Sequence, residues 1–467
     1  MTSAREMRIL APTAILGYGF PEENFQRGLQ ENPHAIAVDA GSVDPGPYYL
    51  GKGKSFTNRA GVKRDLRLML IAAMEYEIPV LIGSAGGAGG TPHLNWTVKI
   101  IEEIAREENM TFPMATIDTE MNRDWLVEQH NKGAITELSQ VEAITEQELL
   151  NSERVVAQIG DAPFQNALQQ GAKVIVSGRA YDPAMFAALP LMEDYPAGLA
   201  YHMGKILECA AIASQPGSGR DVMLGVLRDD EFLLKPTSPN RKCTVQSVAA
   251  HTLYEKSDPY KLYGPGGYLD LENTEYHQLT EDTVKVTGTQ FVPEESKTVK
   301  LEGAKLTGYR TISIAGTRDP IMIEQIDEIT EQIKEAVKDN FQREQLVEGK
   351  DYNLTFRLYG KNGVMGPLEP EQDHVPLEIG IVIETVAKDQ DLADTITSYA
   401  RSTMLHYGYE NRISTAGNLA FPYSPSDIPC GEVYEFNVHH LLDLSHGEKE
   451  GELFYPQFKE VAPDDRK

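Results

Sequence analysis

Cysteine is scarce: Cys209, Cys243 and Cys430 are scattered over 467 residues. Three widely spaced thiols exclude a disulfide framework and a cysteine zinc site. Positive charge is also short. Lys and Arg number 43 against 70 Asp and Glu, a formal net charge of -27. Nucleic acid and anionic membrane surfaces do not attract such a chain, so neither is an expected partner. Apolar runs of membrane-spanning length are missing, and the N-terminus lacks the hydrophobic core of a signal peptide. A cytoplasmic location is the expectation. Repeats and low-complexity segments are missing too. What is present is the composition of a globular protein, on a chain too long for one ordinary core. Two domains are expected.

Glycine is plentiful in one place. Val80-Leu-Ile-Gly-Ser-Ala-Gly-Gly-Ala-Gly-Gly90 precedes Thr91-Pro92. The apolar run before Gly83 reads as a buried strand. Val98, Ile101 and Ile104 continue at helical spacing, and Thr91-Pro92 suits a helix start. A glycine loop before a helix N-terminus can cradle phosphate or carboxylate, with Gly86, Gly87, Gly89 and Gly90 offering backbone N–H groups. The alternative is a turn for close strand–helix packing. The loop lacks the Lys-Ser/Thr ending of a nucleotide P-loop and the spacing of a dinucleotide site.

Other predicted strands end in polar residues. Ala35–Val38 runs into Asp39 and Asp44, which can bind a metal, orient a hydroxyl or cap turns. Met114–Ile117 runs into Asp118 and Glu120, a metal or acid/base pair or the start of the next helix. Lys173–Ser177 runs into Gly178-Arg179-Ala-Tyr-Asp182. Arg179 can grip a substrate carboxylate or pair with Asp182. Residues 153–169 read as a helix interrupted by Gly160 and Pro163. Strands alternating with helices imply a Rossmann-like parallel sheet over residues 1–220, with function-bearing residues at strand ends. Gln215-Pro-Gly-Ser-Gly219 is the expected boundary.

Residues 221–467 are expected to form an α+β domain. Lys235, with Arg241 and Lys242, clusters positive charge that can hold an anion or stay solvated. His251, before Tyr263-Gly-Pro-Gly-Gly267, is a general acid/base candidate. His202, alone on an apolar helix, reads as structural. Within residues 306–440 the order is β-α-β-β-α-β, the split β-α-β (ferredoxin-like) arrangement. The tail after Leu444 reads as frayed.

Several runs carry a resemblance: Ile15-Leu-Gly-Tyr-Gly-Phe20, Ala37-Val-Asp-Ala-Gly-Ser-Val-Asp-Pro-Gly-Pro-Tyr-Tyr-Leu-Gly51, the glycine loop, Ser177-Gly-Arg-Ala-Tyr-Asp-Pro183, Tyr263-Gly-Pro-Gly-Gly267, Thr307-Gly-Tyr-Arg310 and Val433-Tyr-Glu-Phe436. Together they make the chain resemble the acyclic terpene utilisation AtuA family to about His440. The family is named from bacterial breakdown of acyclic terpenes through CoA thioesters. The resemblance implies a catabolic role and a small companion subunit, but carries over no catalytic residue.

The residues themselves suggest a lyase or hydratase acting on a small anionic substrate, a carboxylate or acyl-CoA thioester. The alternative is a non-catalytic subunit or ligand-binding regulator working with a partner. Catalytic candidates are Asp39, Asp44, Asp118, Glu120 and His251. Gly86, Gly87, Gly89, Gly90, Arg179 and Lys235 are the substrate-binding candidates. Asp39, Asp44 and Asp118 are the candidate ligands for a divalent metal such as Mg or Mn. CoA enters as part of the substrate, and a homo-oligomer is expected.

Overall fold

The computed structural model describes residues 5–138, 141–294, 297–444 and 450–463. The chain divides into two compact units, Met1–Lys305 with Phe436–Lys467, and Leu306–Glu435. The long strands Thr298–Thr317 and Asp427–Asp443 contribute residues to both.

The larger unit is built on β1 (Met7–Ala11), β2 (Ala35–Asp39), β3 (Val80–Gly83), β4 (Phe112–Ile117), β5 (Ile135–Glu137), β6 (Arg154–Gln158), β7 (Val174–Ser177), β8 (Met223–Leu227) and β9 (Glu231–Pro236). The strands β1-β2-β3-β7-β4 lie side by side and parallel. Every residue of β2, β3 and β7 is buried, as in a sheet covered on both faces. Two apolar clusters flank it. One gathers Leu66, Leu70, Ile101 and Ile104 from the helices Arg59–Glu75 and Thr91–Glu107. The other gathers Phe164, Phe186 and Met203 from helices later in the chain.

The parallel strands are the centre of a mixed, ten-stranded sheet. β8 pairs antiparallel with β1, followed by β9, Val284–Thr287 and Glu275–Gln278. The compact division therefore falls at residue 305 and not near 220: residues 223–236 hydrogen-bond into the sheet of residues 7–11. The tail differs from expectation as well. Gln457–Val461 pairs antiparallel with β4 and buries Val461, which anchors it. Residues 154–158 form a strand where a helix was expected, antiparallel to Lys300–Ala304. Val155 and Val156 are fully buried there, and β-branched side chains suit a pleated surface. β8 and β9 pair with each other as an antiparallel hairpin.

In the smaller unit, Tyr352–Tyr359, Ile379–Ala387, the end of Thr298–Thr317 and Asp427–Asp443 lie in that order in one sheet. Numbered along the chain this is 4-1-3-2 read from the other edge, the ferredoxin-like order. The helices Ile326–Phe341 and Gln390–His406 share one core with it, through Ile329, Ile333, Ile396 and Ala400. Both helices therefore cover one face, and the α/β assignment with a split β-α-β unit holds. Among the described residues no helix is long and apolar enough to cross a membrane.

Candidate functional site

The residues expected to bind a ligand at the carboxyl ends of the strands first meet one another. The loop after β3 is buried from Gly83 to Gly90. The N–H groups of Ser84 and Ala85 donate to the Gly178 and Ser177 carbonyls at 2.9 Å. Those of Gly87 and Gly89 donate to the Ser84 and Ala85 carbonyls. Gly87 has φ +94°, and a Cβ there would lie 2.6 Å from Phe56; Gly89 has φ +71°, and a Cβ would lie 2.1 Å from the Arg179 backbone nitrogen. Only glycine fits that backbone and that spacing. The helix Thr91–Glu107 starts where Thr91-Pro92 predicts, but its N-terminus already holds an anion. The Thr91 N–H donates to Glu120 Oε2 at 2.7 Å, and the Thr91 hydroxyl donates to Asp118 Oδ2 at 2.8 Å. The expected anion cradle is thus filled by the protein's own carboxylates, which the helix dipole favours. The Asp118–Glu120 pair, anticipated as a separate ligand-binding feature, is thus bonded to Thr91, the residue that follows the loop. Asp118 and Glu120 do not cap the helix Arg123–Asn131; Asn122 does.

Arg179 is treated likewise. It is buried, and its Nε donates to Glu302 at 2.8 Å. Nη1 donates to Asp182 at 3.0 Å, Ser84 Oγ at 3.1 Å and the Ala180 carbonyl at 2.8 Å. Burial opposes the charge on Glu302, but Arg179 and Lys300 hold its pKa down to about 2. The Arg179–Asp182 ion pair anticipated as one alternative is present.

Beyond this saturated layer two cavities open in the larger unit. A cleft of about 510 Å³ is lined by Arg179, Tyr181, Lys205, Lys256 and Lys300, among others. A second cavity of about 440 Å³ is lined by Asp39, Ile15, Phe56, Glu208, Cys209 and Tyr254, among others. Asp44, Asp182 and Glu255 line both, so the cavities adjoin. Segments on both sides of residue 220 contribute, within one compact unit.

Asp39 closes β2 and is buried, accepting from the Gly41 N–H at 3.4 Å. Burial, reinforced by the charge of Asp182, pushes its pKa up to about 8 against the opposing pull of Arg179. Glu208 follows the helix Ala197–Leu207 and accepts from Lys205. Burial pushes its carboxyl up to about 8 despite that ammonium. Two carboxyls facing one cavity are thus both pushed by burial toward their protonated forms. Asp44 is exposed and accepts from the Ser42 hydroxyl at 2.7 Å.

Other candidates lie elsewhere. Lys235 pairs with Glu31 at 2.9 Å and lines a separate groove with Arg27 and Gln30. Arg241 pairs with Asp221, so no anion cradle forms from that cluster. His251 is buried, with its ring stacked on Tyr254 and its Nε2 without a hydrogen-bond partner. It does not line the two cavities, and burial pushes its pKa down to about 4. His202 is structural as expected, held between the Thr289 and Thr252 hydroxyls. Asp39, Asp44 and Asp118 do not gather as a metal site. Among the described residues no three His, Cys, Asp or Glu side chains come together to hold an ion, and Asp118 is turned to Thr91. These residues do not fit the anticipated divalent metal.

Lys205, Glu208, Lys256 and Glu302 were not anticipated. For Lys205 and Glu208 a signal existed. Ala197–Ala213 is almost wholly apolar, and a Lys-x-x-Glu pair inside such a helix must be buried and paired. Lys256 reaches the cleft, and Glu302 reaches Arg179 and Lys300, only through the tertiary fold, which no local pattern announces.

No curated protein and no solved structure matches the chain. The family model described as acyclic terpene utilisation family protein AtuA matches residues 58–217 and 228–415. That match covers most of the chain, including Arg179, Asp182, Lys205, Glu208, Lys256 and Glu302, and the protein belongs to the acyclic terpene utilisation AtuA family.

Proposed function

We propose that the protein is a proton-transfer enzyme of the lyase or hydratase type, acting on a small carboxylate or its acyl-CoA thioester. The observation that carries this reading is the pair of buried carboxyls, Asp39 and Glu208, on one cavity, each with its pKa raised by burial. A group that holds a proton at neutral pH can deliver it, and a neighbour that has lost one can accept it. In a hydration, a carboxylate takes a proton from water as its oxygen attacks the β-carbon. A carboxylic acid then supplies a proton to the α-carbon, and elimination is the reverse. The adjoining cleft offers lysines to an anionic substrate in a chain otherwise strongly acidic. Family membership supports a catabolic setting.

The test is deuterium exchange at carbon in crotonate and crotonyl-CoA, followed by NMR in D₂O. Wild-type protein should exchange or hydrate at least one of them. Asp39→Asn and Glu208→Gln should each slow that by roughly 10²–10⁴-fold while leaving the circular dichroism spectrum unchanged. Full exchange in both variants would overturn the assignment. No exchange in wild type, with co-purification of a small partner, would favour a non-catalytic subunit instead.

A further inference from the structure

The cations facing the larger cleft are not equivalent. Lys205 donates to Glu208, and Lys300 pairs with Glu302 at 2.6 Å. Arg179 is held by Glu302 and Asp182. Lys256 has no such partner: among the described residues its ammonium makes neither a hydrogen bond nor an ion pair. Its Nζ lies 6.0 Å from the centre of the Tyr181 ring. A ring face attracts an ammonium but satisfies none of its three N–H donors. Lys256 is half-buried and lines the cleft. A half-buried ammonium that no carboxylate of the protein neutralises is a ready partner for a substrate carboxylate.

We infer that Lys256 anchors the carboxylate of the substrate, the role that sequence pattern suggests for Arg179. The inference rests on this cleft being the substrate site, and it selects a free carboxylate as the recognised group. The groups around Lys256 are Lys205, Glu208, Asp182, Lys300, Tyr181 and Glu255. Burial, followed by the charge of Lys205, pushes its pKa below that of an ordinary lysine. The site should therefore lose its charge at a lower pH than a solvated lysine would.

The experiment measures binding of crotonate, fumarate and the uncharged crotonamide by calorimetry to wild type, Lys256→Met and Lys256→Arg. Wild type should prefer a carboxylate to crotonamide. K256M should bind that carboxylate about tenfold or more weakly, with crotonamide binding unchanged. K256R should retain the carboxylate. Affinity should fall in wild type at a pH below that at which an ordinary lysine loses its charge, but not in K256R. Equal carboxylate binding by wild type and K256M overturns the inference, as does a wild type that prefers neither carboxylate. The two proposals fail separately. Loss of carboxylate binding in K256M beside full exchange in both D39N and E208Q removes the proton-transfer reading alone. Unchanged binding in K256M beside an inactive D39N removes the anchor alone.

Discussion

The N-terminus of the helix Thr91–Glu107 and the adjoining cavities, one of them lined by Asp39, are both built at strand ends of one sheet, yet they differ in one respect. At the helix, the donors of Thr91 meet acceptors from the chain itself, Glu120 and Asp118, and at the wall of the cleft Arg179 likewise meets Glu302 and Asp182. In the cavities, two carboxyls are held at raised pKa, and one ammonium lacks an anionic partner. Glycine density and strand-end acids mark both regions, but among the described residues only the cavities keep a cation, Lys256, without an anionic partner. A satisfied polar network stabilises and fixes a structure; an unsatisfied one is held open for something else.

Four substitutions test the contrast. The largest effect should come from Gly89→Val. Its side chain would meet the Arg179 backbone, and φ is +71°. A stability loss above about 3 kcal/mol is expected, read as a collapsed thermal transition by circular dichroism. An unchanged transition with weakened ligand binding would instead restore the loop as an anion cradle.

Glu302→Ala should follow. It leaves the buried Arg179 without its closest carboxylate, and breaking such a pair costs about 3–5 kcal/mol. Urea denaturation should show this as a lower midpoint. A midpoint equal to that of wild type would mean Arg179 is free to serve a substrate.

Asp39→Asn should act through pH. The folded chain keeps the Asp39 proton up to about pH 8, whereas an unfolded aspartate loses it near pH 4. Between those values the native state binds more protons, so stability falls as pH rises. D39N removes that contribution. It should melt like wild type at pH 5 and higher than wild type at pH 8.5. Parallel melting curves at both values would place the Asp39 carboxylate among the satisfied groups.

Glu120→Gln should give the smallest effect, about 0.5–2 kcal/mol. The amide still accepts the Thr91 N–H but lacks the charge. A larger loss of turnover than of stability would reassign Glu120 to chemistry.

Much of the fold was legible because its causes are local. Ile326, Ile329, Ile333 and Val337 recur at helical spacing and are buried on one stripe. The run Val174–Ser177 is short, apolar and fully buried. Residues 154–158 were misread because Val155 and Val156 fit a strand or a buried helix equally in isolation, and pairing with Lys300–Ala304 decided between them. The edge strand Gln457–Val461 lies in a charged tail and owes its order to β4.

The site divides along the same line. The sequence alone determined the parallel sheet, the ferredoxin-like order, the family and the position of Asp39 at a strand end, because periodicity, turn residues and motif spacing act between near neighbours. It could not determine which polar residues were already paired. Arg179 and Glu302 are 123 residues apart, and Thr91 and Glu120 are 29 apart. Only the tertiary structure brings them together. Whether a charge is neutralised by the protein or left for a ligand depends on burial and on partners a few ångströms away.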